Sequence, residues 1–121
     1  MKKLVLLFSH QLTEQQEIEA KNSLKCNEIL YLPKELKEKW QNLGIKKNLE
    51  EFKKFLDKVT SKEDYVLIQG EWGATYDMIN YCKGKNLIPI YSSTKREVEE
   101  RKNGEEIVKV SKFVHRGFIN Y

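Results

Sequence analysis

A chain of 121 residues is long enough for one hydrophobic core of four or five elements and too short for several domains. With 40% hydrophobic and 33% charged residues, it reads as a soluble globular protein and not as a disordered chain. The net charge of +4 arises from 22 basic residues mixed among 18 acidic ones without a long basic run, which argues against duplex nucleic acid as a stable partner and suits a compact anionic ligand.

Met1-Lys2-Lys3 followed by Leu4 to Phe8 imitates a secretion signal, but five apolar residues are too few for its hydrophobic region. No stretch long enough to span a membrane follows, so no membrane partner is expected. The two cysteines, Cys26 and Cys82, lack metal-ligand spacing, and there is no cluster of histidine and cysteine; no metal site and no cofactor is expected. A reducing, cytoplasmic setting is the simpler reading.

Leu4 to Phe8 is a continuous apolar run, the pattern of a buried first strand, and it ends at Ser9-His10. Thr13 with Gln16 forms a capping box that opens a helix, and Ile18, Ala20 and Leu24 give that helix only a thin apolar stripe. Glu28 to Leu32 reads as strand two. Pro33 suits a first helical position, with Leu36, Trp40 and Leu43 behind it and Gly44 as the stop. Asn48 with Glu51 starts a further helix, striped by Leu49, Phe52, Leu56 and Val59.

Tyr65 to Ile68 is a short β-rich run, followed by Gln69, Gly70 and Gly73 and then by helical spacing at Tyr76, Ile79 and Cys82. Strand, glycine turn and helix form the unit by which α/β proteins receive phosphates, although a tight turn that binds nothing has the same pattern. Leu87 to Tyr91 is strand four, and Pro89 within it predicts an edge or an irregularity there. Asn103-Gly104 predicts a hairpin turn between Arg96 to Lys102 and Glu105 to Val114, with Lys102 opposite Glu105 and Arg101 opposite Glu106.

This alternation predicts a parallel, doubly wound α/β sheet of order 2-1-3-4, helices on both faces, and the hairpin added at one edge. The residues after each strand then share one rim: Ser9-His10, Gln69-Gly70 and Ser92-Ser93-Thr94. Strands one and three flank the switch in strand order, where such sheets leave a ligand crevice. His10 there is a candidate general acid or base, or else a polar loop residue capping the next helix. Ser9 and Thr75 offer hydroxyls to a phosphate, or cap helices. Ser92 and Thr94 offer more polar contacts, and Lys95 and Arg96 could neutralise phosphate charge if a site lies near them. Trp72 could stack on a base or pack in an interface, and Trp40 reads as core. His115 and Arg116 could reach the rim or a partner subunit.

Four segments carry a family likeness: Leu7-Phe8-Ser9-His10-x-Leu12-Thr13, Tyr31-Leu32-Pro33, Val66-Leu67-Ile68-Gln69-Gly70-x-x-Gly73-Ala74-Thr75-Tyr76, and Ile88-Pro89-x-Tyr91-Ser92. Together they resemble a small CRISPR-associated family of the Csx type, which is similar to the Rossmann-like ligand domains of type III CRISPR effectors. The resemblance covers nearly the whole chain and implies a single Rossmann-like domain, here an α/β core over 1–94 and a hairpin extension over 95–121. It implies a ring nuclease, a metal-independent phosphodiesterase that cleaves cyclic tetra-adenylate and switches off type III CRISPR signalling, acting as a homodimer. By motif it assigns ligand binding to Ser9, Gln69, Gly70, Gly73, Thr75 and Ser92. The rim geometry adds His10 with Ser9 as catalytic candidates, and Trp72, Thr94, Lys95 and Arg96 as further ligand contacts. A sensor that binds the ring without cutting it would use the same rim.

Overall fold

A computed structural model describes residues 2–44 and 48–121. Met1, the start of the signal-like stretch, lies outside them. The elements run β1 (Lys2–Leu7), α1 (Glu14–Asn22), β2 (Cys26–Leu30), α2 (Lys34–Gln41), α3 (Glu50–Val59), β3 (Tyr65–Ile68), α4 (Trp72–Gly84), β4 (Ile88–Asn103) and β5 (Glu106–Asn120). They form a mixed α/β structure around one five-stranded sheet of order β2-β1-β3-β4-β5. β1 pairs in parallel with β2 and β3, β3 in parallel with β4, and β4 antiparallel with β5.

The apolar runs behave as strands covered on both sides must. In β3, Val66, Leu67 and Ile68 are all fully buried, as are Leu4 to Leu7 in β1. Alternation divides them between two cores. Val5, Leu7, Val66 and Ile68 meet Trp40, Phe52, Leu56, Ala74 and Met78 from α2, α3 and α4. Leu4, Leu6, Leu67 and Ile90 meet Leu12 and Ala20 around α1. The capping box at α1 forms as expected, with Thr13 Oγ1 accepting from Gln16 N and Gln16 Oε1 accepting from Thr13 N.

Several boundaries differ from the sequence expectation. Strand two begins at Cys26, directly after Lys25 takes a left-handed turn (φ 59°), and ends at Leu30. Pro33 stands one position earlier than expected, as the N-cap of α2. β4 does not stop at Tyr91: it is one 16-residue strand that includes Ser92, Ser93 and Thr94 and forms the first half of the hairpin. β4 is also not an edge, because β5 flanks it. Pro89 is tolerated because it points away from β3. Its carbonyl accepts from Tyr121 N, so its missing N–H faces the last residues beside β5, while Ile88 N makes the bond to Asp64 O on the β3 side.

The hairpin turn lies one residue further on than Asn103-Gly104. Asn103 pairs with Glu106, leaving Gly104 and Glu105 as the loop, with Gly104 at φ 67°. Glycine at the first loop position is the type II′ arrangement, where only that residue needs positive φ. The shift places Lys102 opposite Ile107 and Arg101 opposite Val108, so the expected cross-strand charge pairs do not form.

Asp64, fully buried just before β3, fastens this sheet at its other end. Its carboxylate accepts from Lys3 N at 3.1 Å and from Ser61 N at 2.8 Å. Asp64→Ala leaves both amides without an acceptor and should cost about 2–4 kcal/mol, from the penalty for unsatisfied buried donors. Asn at this position keeps one acceptor oxygen and should cost less. Urea midpoints with an unchanged slope would register both losses; an Ala variant as stable as the wild type would show that the fastening is dispensable.

Candidate functional site

The rim begins where β1 and β3 run out together. Gln69 N continues their pairing by donating to Leu7 O at 3.2 Å, and the Gln69 side chain then turns toward β4, where Oε1 accepts from Ser92 N at 3.1 Å. A backbone N–H can only donate, so the amide oxygen must face it, and the NH2 end of Gln69 is left for the adjoining cleft. That cleft, about 390 Å³, is lined by Gln69, Trp72, Thr75, Tyr76 and Tyr121, among others. Trp72 is 90% exposed and Tyr76 67% exposed, one helical turn apart on α4. Thr75 Oγ1 is buried and has no hydrogen-bond partner among the described residues. Tyr121 closes one wall by donating its hydroxyl to Ile68 O at 2.6 Å; burial and then the nearby Tyr91 raise its phenol, which keeps it a donor.

The glycine turn has a different physical cause from a phosphate cradle. A Cβ at Gly70 would lie 2.6 Å from Trp40 Nε1, whose N–H donates to Gln69 O at 3.0 Å. Glycine lets the buried indole press against the turn and hold it. The end of α4 also carries its own anion: Glu71, the N-cap, accepts from Gly73 N through its carboxylate. A ligand phosphate approaching Gly73 therefore meets a carboxylate at that amide, so the donors suited to it are Gln69 and Thr75. Trp72 is the first residue of α4 and not part of the turn.

The remaining candidates divide. Ser9 is half-buried and His10 exposed at the end of β1, with His10 edge-on to Phe8 at a ring separation of 5.2 Å. His10 does not cap α1, since Thr13 does so. Thr94 pairs with His115 across the hairpin, and Lys95 and Arg96 follow as exposed residues on its stem. Arg96 is turned along the hairpin, its guanidinium donating to Ser111 Oγ at 3.0 and 3.3 Å. Ser92 is buried and joined to groups that sequence reasoning did not assemble. Its Oγ lies 3.1 Å from Gln16 Nε2 and 2.5 Å from His115 Nδ1, and His115 Nε2 lies 2.6 Å from Glu19 Oε1. Nothing in the spacing links Glu19 to a histidine 96 residues away. Both cysteines are free and buried, and burial pushes the Cys82 thiol up to about 12, far from a nucleophilic thiolate. Among the described residues, no group of three or more His, Cys, Asp or Glu side chains could hold a metal ion, and no helix is long and apolar enough to cross a membrane.

Fold and site together define an α/β protein with a polar, aromatic-flanked cleft where the parallel strands end. The chain belongs to the family described as "Uncharacterized protein MJ1673 family", whose model matches residues 2–119. It is similar to "Uncharacterized protein MJ1673" of Methanocaldococcus jannaschii, with 47% identity over 126 residues that cover 100% of this chain and 98% of the relative. No solved structure matches it.

The packing at Gly70 makes a direct prediction. Gly70→Ala must displace the Trp40 indole and break its bond to Gln69 O, at a cost of about 1–3 kcal/mol by the usual scale of overpacking. In a Trp40→Phe background the same change should cost less, because the clashing nitrogen is gone. A double-mutant cycle by urea unfolding reads the coupling, and an additive pair would contradict it.

Proposed function

We propose that this protein is a ring nuclease, with a Rossmann-like fold, that cleaves cyclic tetra-adenylate without a metal and so ends type III CRISPR signalling in the cytoplasm. The observation that carries this reading is the pairing of two exposed aromatic rings, Trp72 and Tyr76, with the oriented donor of Gln69 at the end of a parallel sheet. Aromatic faces accept adenine bases by stacking, and a side-chain amide donor suits a phosphate oxygen or a ring nitrogen. The likeness of the Val66 to Tyr76 segment to the Csx-type family points to the same ligand.

The substrate brings its own nucleophile. Each 3′–5′ phosphodiester has a 2′-hydroxyl beside it, and the protein has to align that hydroxyl for in-line attack, neutralise charge and assist proton transfer. Ser9 and His10 at the end of β1, Gln69, Trp72 and Thr75 beside the turn, and Ser92, Thr94, Lys95 and Arg96 on β4 are the residues proposed to do this, whereas Gly70 makes room for Trp40 and the Gly73 amide is held by Glu71. The products are linear di-adenylates, formed first with 2′,3′-cyclic phosphate ends. Because a four-membered ring contains a two-fold axis, a homodimer presenting the same rim twice suits it. One observation favours a second reading, a sensor that binds the ring intact: neither Ser9 nor His10 has a hydrogen-bond partner among the described residues to pass a proton to.

Incubation of the purified protein with cyclic tetra-adenylate in EDTA, followed by chromatography, tests the reading. Linear di-adenylates are expected; bound but intact ring would leave the sensor, and absence of binding would end both. Trp72→Ala should weaken ring binding by about 1–3 kcal/mol, the worth of one stacked base, which titration calorimetry measures. Light scattering of the protein with saturating ring should give the mass of a dimer; a monomer would oppose the two-fold arrangement.

A further inference from the structure

The hydrogen bonds around Ser92 follow from which groups can donate and which can only accept. A carboxylate only accepts, so the proton between His115 and Glu19 belongs to His115 Nε2. With the ring neutral, His115 Nδ1 is its lone-pair nitrogen and the Ser92 hydroxyl donates to it. Gln16 is fixed as well: its oxygen is taken by Thr13 N, so its NH2 end donates to Ser92 Oγ. The second Glu19 oxygen accepts from Phe118 N at 2.9 Å, which holds the carboxylate still. Hydroxyl to imidazole to carboxylate is the order by which proteins strip a proton from an alcohol.

Two further features mark this as more than a clasp. The first is a bulge. Ser93 pairs with Gly117 but Thr94 pairs with His115, so Arg116 has no partner on β4. Without that extra residue, His115 would stand opposite Lys95 on the other face of the hairpin. The bulge turns it onto the face that carries Ser92, which is a use bulges serve beside functional sites. The second is burial: Ser92 is 6% exposed and the His115 side chain 5%. Joining α1 to the hairpin needs no ionisable group, and burying an imidazole beside a carboxylate that is itself 24% exposed has a desolvation cost that an apolar trio would spare.

We propose that Glu19, His115 and Ser92 form the general base of the ring-cleaving reaction, an assignment that rests on the function proposed above. The 2′-hydroxyl oxygen bonds to phosphorus as the bond from phosphorus to the 5′-oxygen breaks. The 2′-hydroxyl proton passes to Ser92 Oγ while the proton of Ser92 passes to His115 Nδ1, and Glu19 stabilises the resulting imidazolium. The leaving 5′-oxygen takes a proton from His10, whose exposure lets it be recharged from solvent. His115 then returns its proton to solvent. Gln69, held through Ser92 N, sets the phosphate beside the hydroxyl.

The test uses two substrates, natural cyclic tetra-adenylate and a ring with sulfur in place of the bridging 5′-oxygens, whose thiolate leaves without an acid. His115→Gln should bind the natural ring as wild type does and cut it about a hundredfold or more slowly, the scale of general acid–base help. Ser92→Ala should be equally slow, and the double variant no slower than either, because one relay is lost once. The His115→Gln loss should persist on the sulfur ring, whereas the His10→Ala loss should vanish there. Rates are taken per folded protein, with melting curves alongside; Glu19→Gln, which keeps a hydrogen-bonding side chain, stands in if Ser92→Ala does not fold. A lowered melting temperature with wild-type cutting by His115→Gln would make the trio a clasp and overturn the relay alone. An inert wild-type protein would overturn the ring-nuclease reading and the relay with it.

Discussion

Everything at the rim depends on β3 being buried on both faces and paired on both edges. Four residues in that position have no freedom to slide: a one-residue slip would turn Val66 and Ile68 into the α1 core and Leu67 into the other. The chain can therefore leave the sheet at only one place. Gln69 still pairs with Leu7, and beyond it the backbone must turn into α4. The depth of burial, and not any property of the turn, sets where the cleft opens.

That constraint also explains why the turn is built of glycine. Trp40 arrives from α2 beneath the exit of β3, donates to Gln69 O and occupies the space a side chain at Gly70 would need. The sequence displays Gly70 and Gly73 without displaying Trp40 as their neighbour, and a glycine turn before a helix is the pattern both of a phosphate loop and of a packed one. Local pattern cannot separate the two. Glu71 adds to the ambiguity, since a carboxylate at a helix start is an ordinary N-cap and also excludes a second anion from the amide it holds. The aromatic flank was half legible: Trp72 reads from the sequence as a ring able to stack on a base, whereas Tyr121 reaches the cleft only through the pairing of β4 with β5.

The sheet itself was readable because its determinants are short-range. Continuous apolar runs, a capping box at Thr13 and alternating element types suffice for a parallel order of 2-1-3-4, and the hairpin signal at Gly104 was correct in kind. Its register was not, because Asn-Gly is compatible with two turns that differ by one residue, and the choice is made by side chains far from the turn. In β5 the apolar residues Val108, Val110 and Val114 share one face and Ile107 and Phe113 the other, so neither face of the stem imposes a register by itself. The bulge at Arg116 then corrects the alternation before the strand reaches the core, where Phe118 packs with Ile90. Pro89 misled for a related reason. It forbids one hydrogen bond, and the sequence does not say on which side of the strand that bond would fall.

The polar network under α1 was the least legible part, and the reason is the thinness of the α1 stripe. A helix with few apolar residues reads as a cover on the sheet, loosely held. The structure holds it by other means: Gln16, read as half of a capping box, also reaches Ser92, and Glu19, one turn on, reaches His115 and Phe118. A helix short of apolar contacts must be secured by directional bonds, and directional bonds in a nearly dry site fix the angle and proton position of each group more tightly than packing does. Weak hydrophobic patterning in α1 and an ordered hydroxyl–imidazole–carboxylate chain beneath it are therefore two sides of one economy. The same side chains that anchor the helix leave Ser92 with its hydroxyl against His115 and its amide committed to Gln69, which itself lines the cleft.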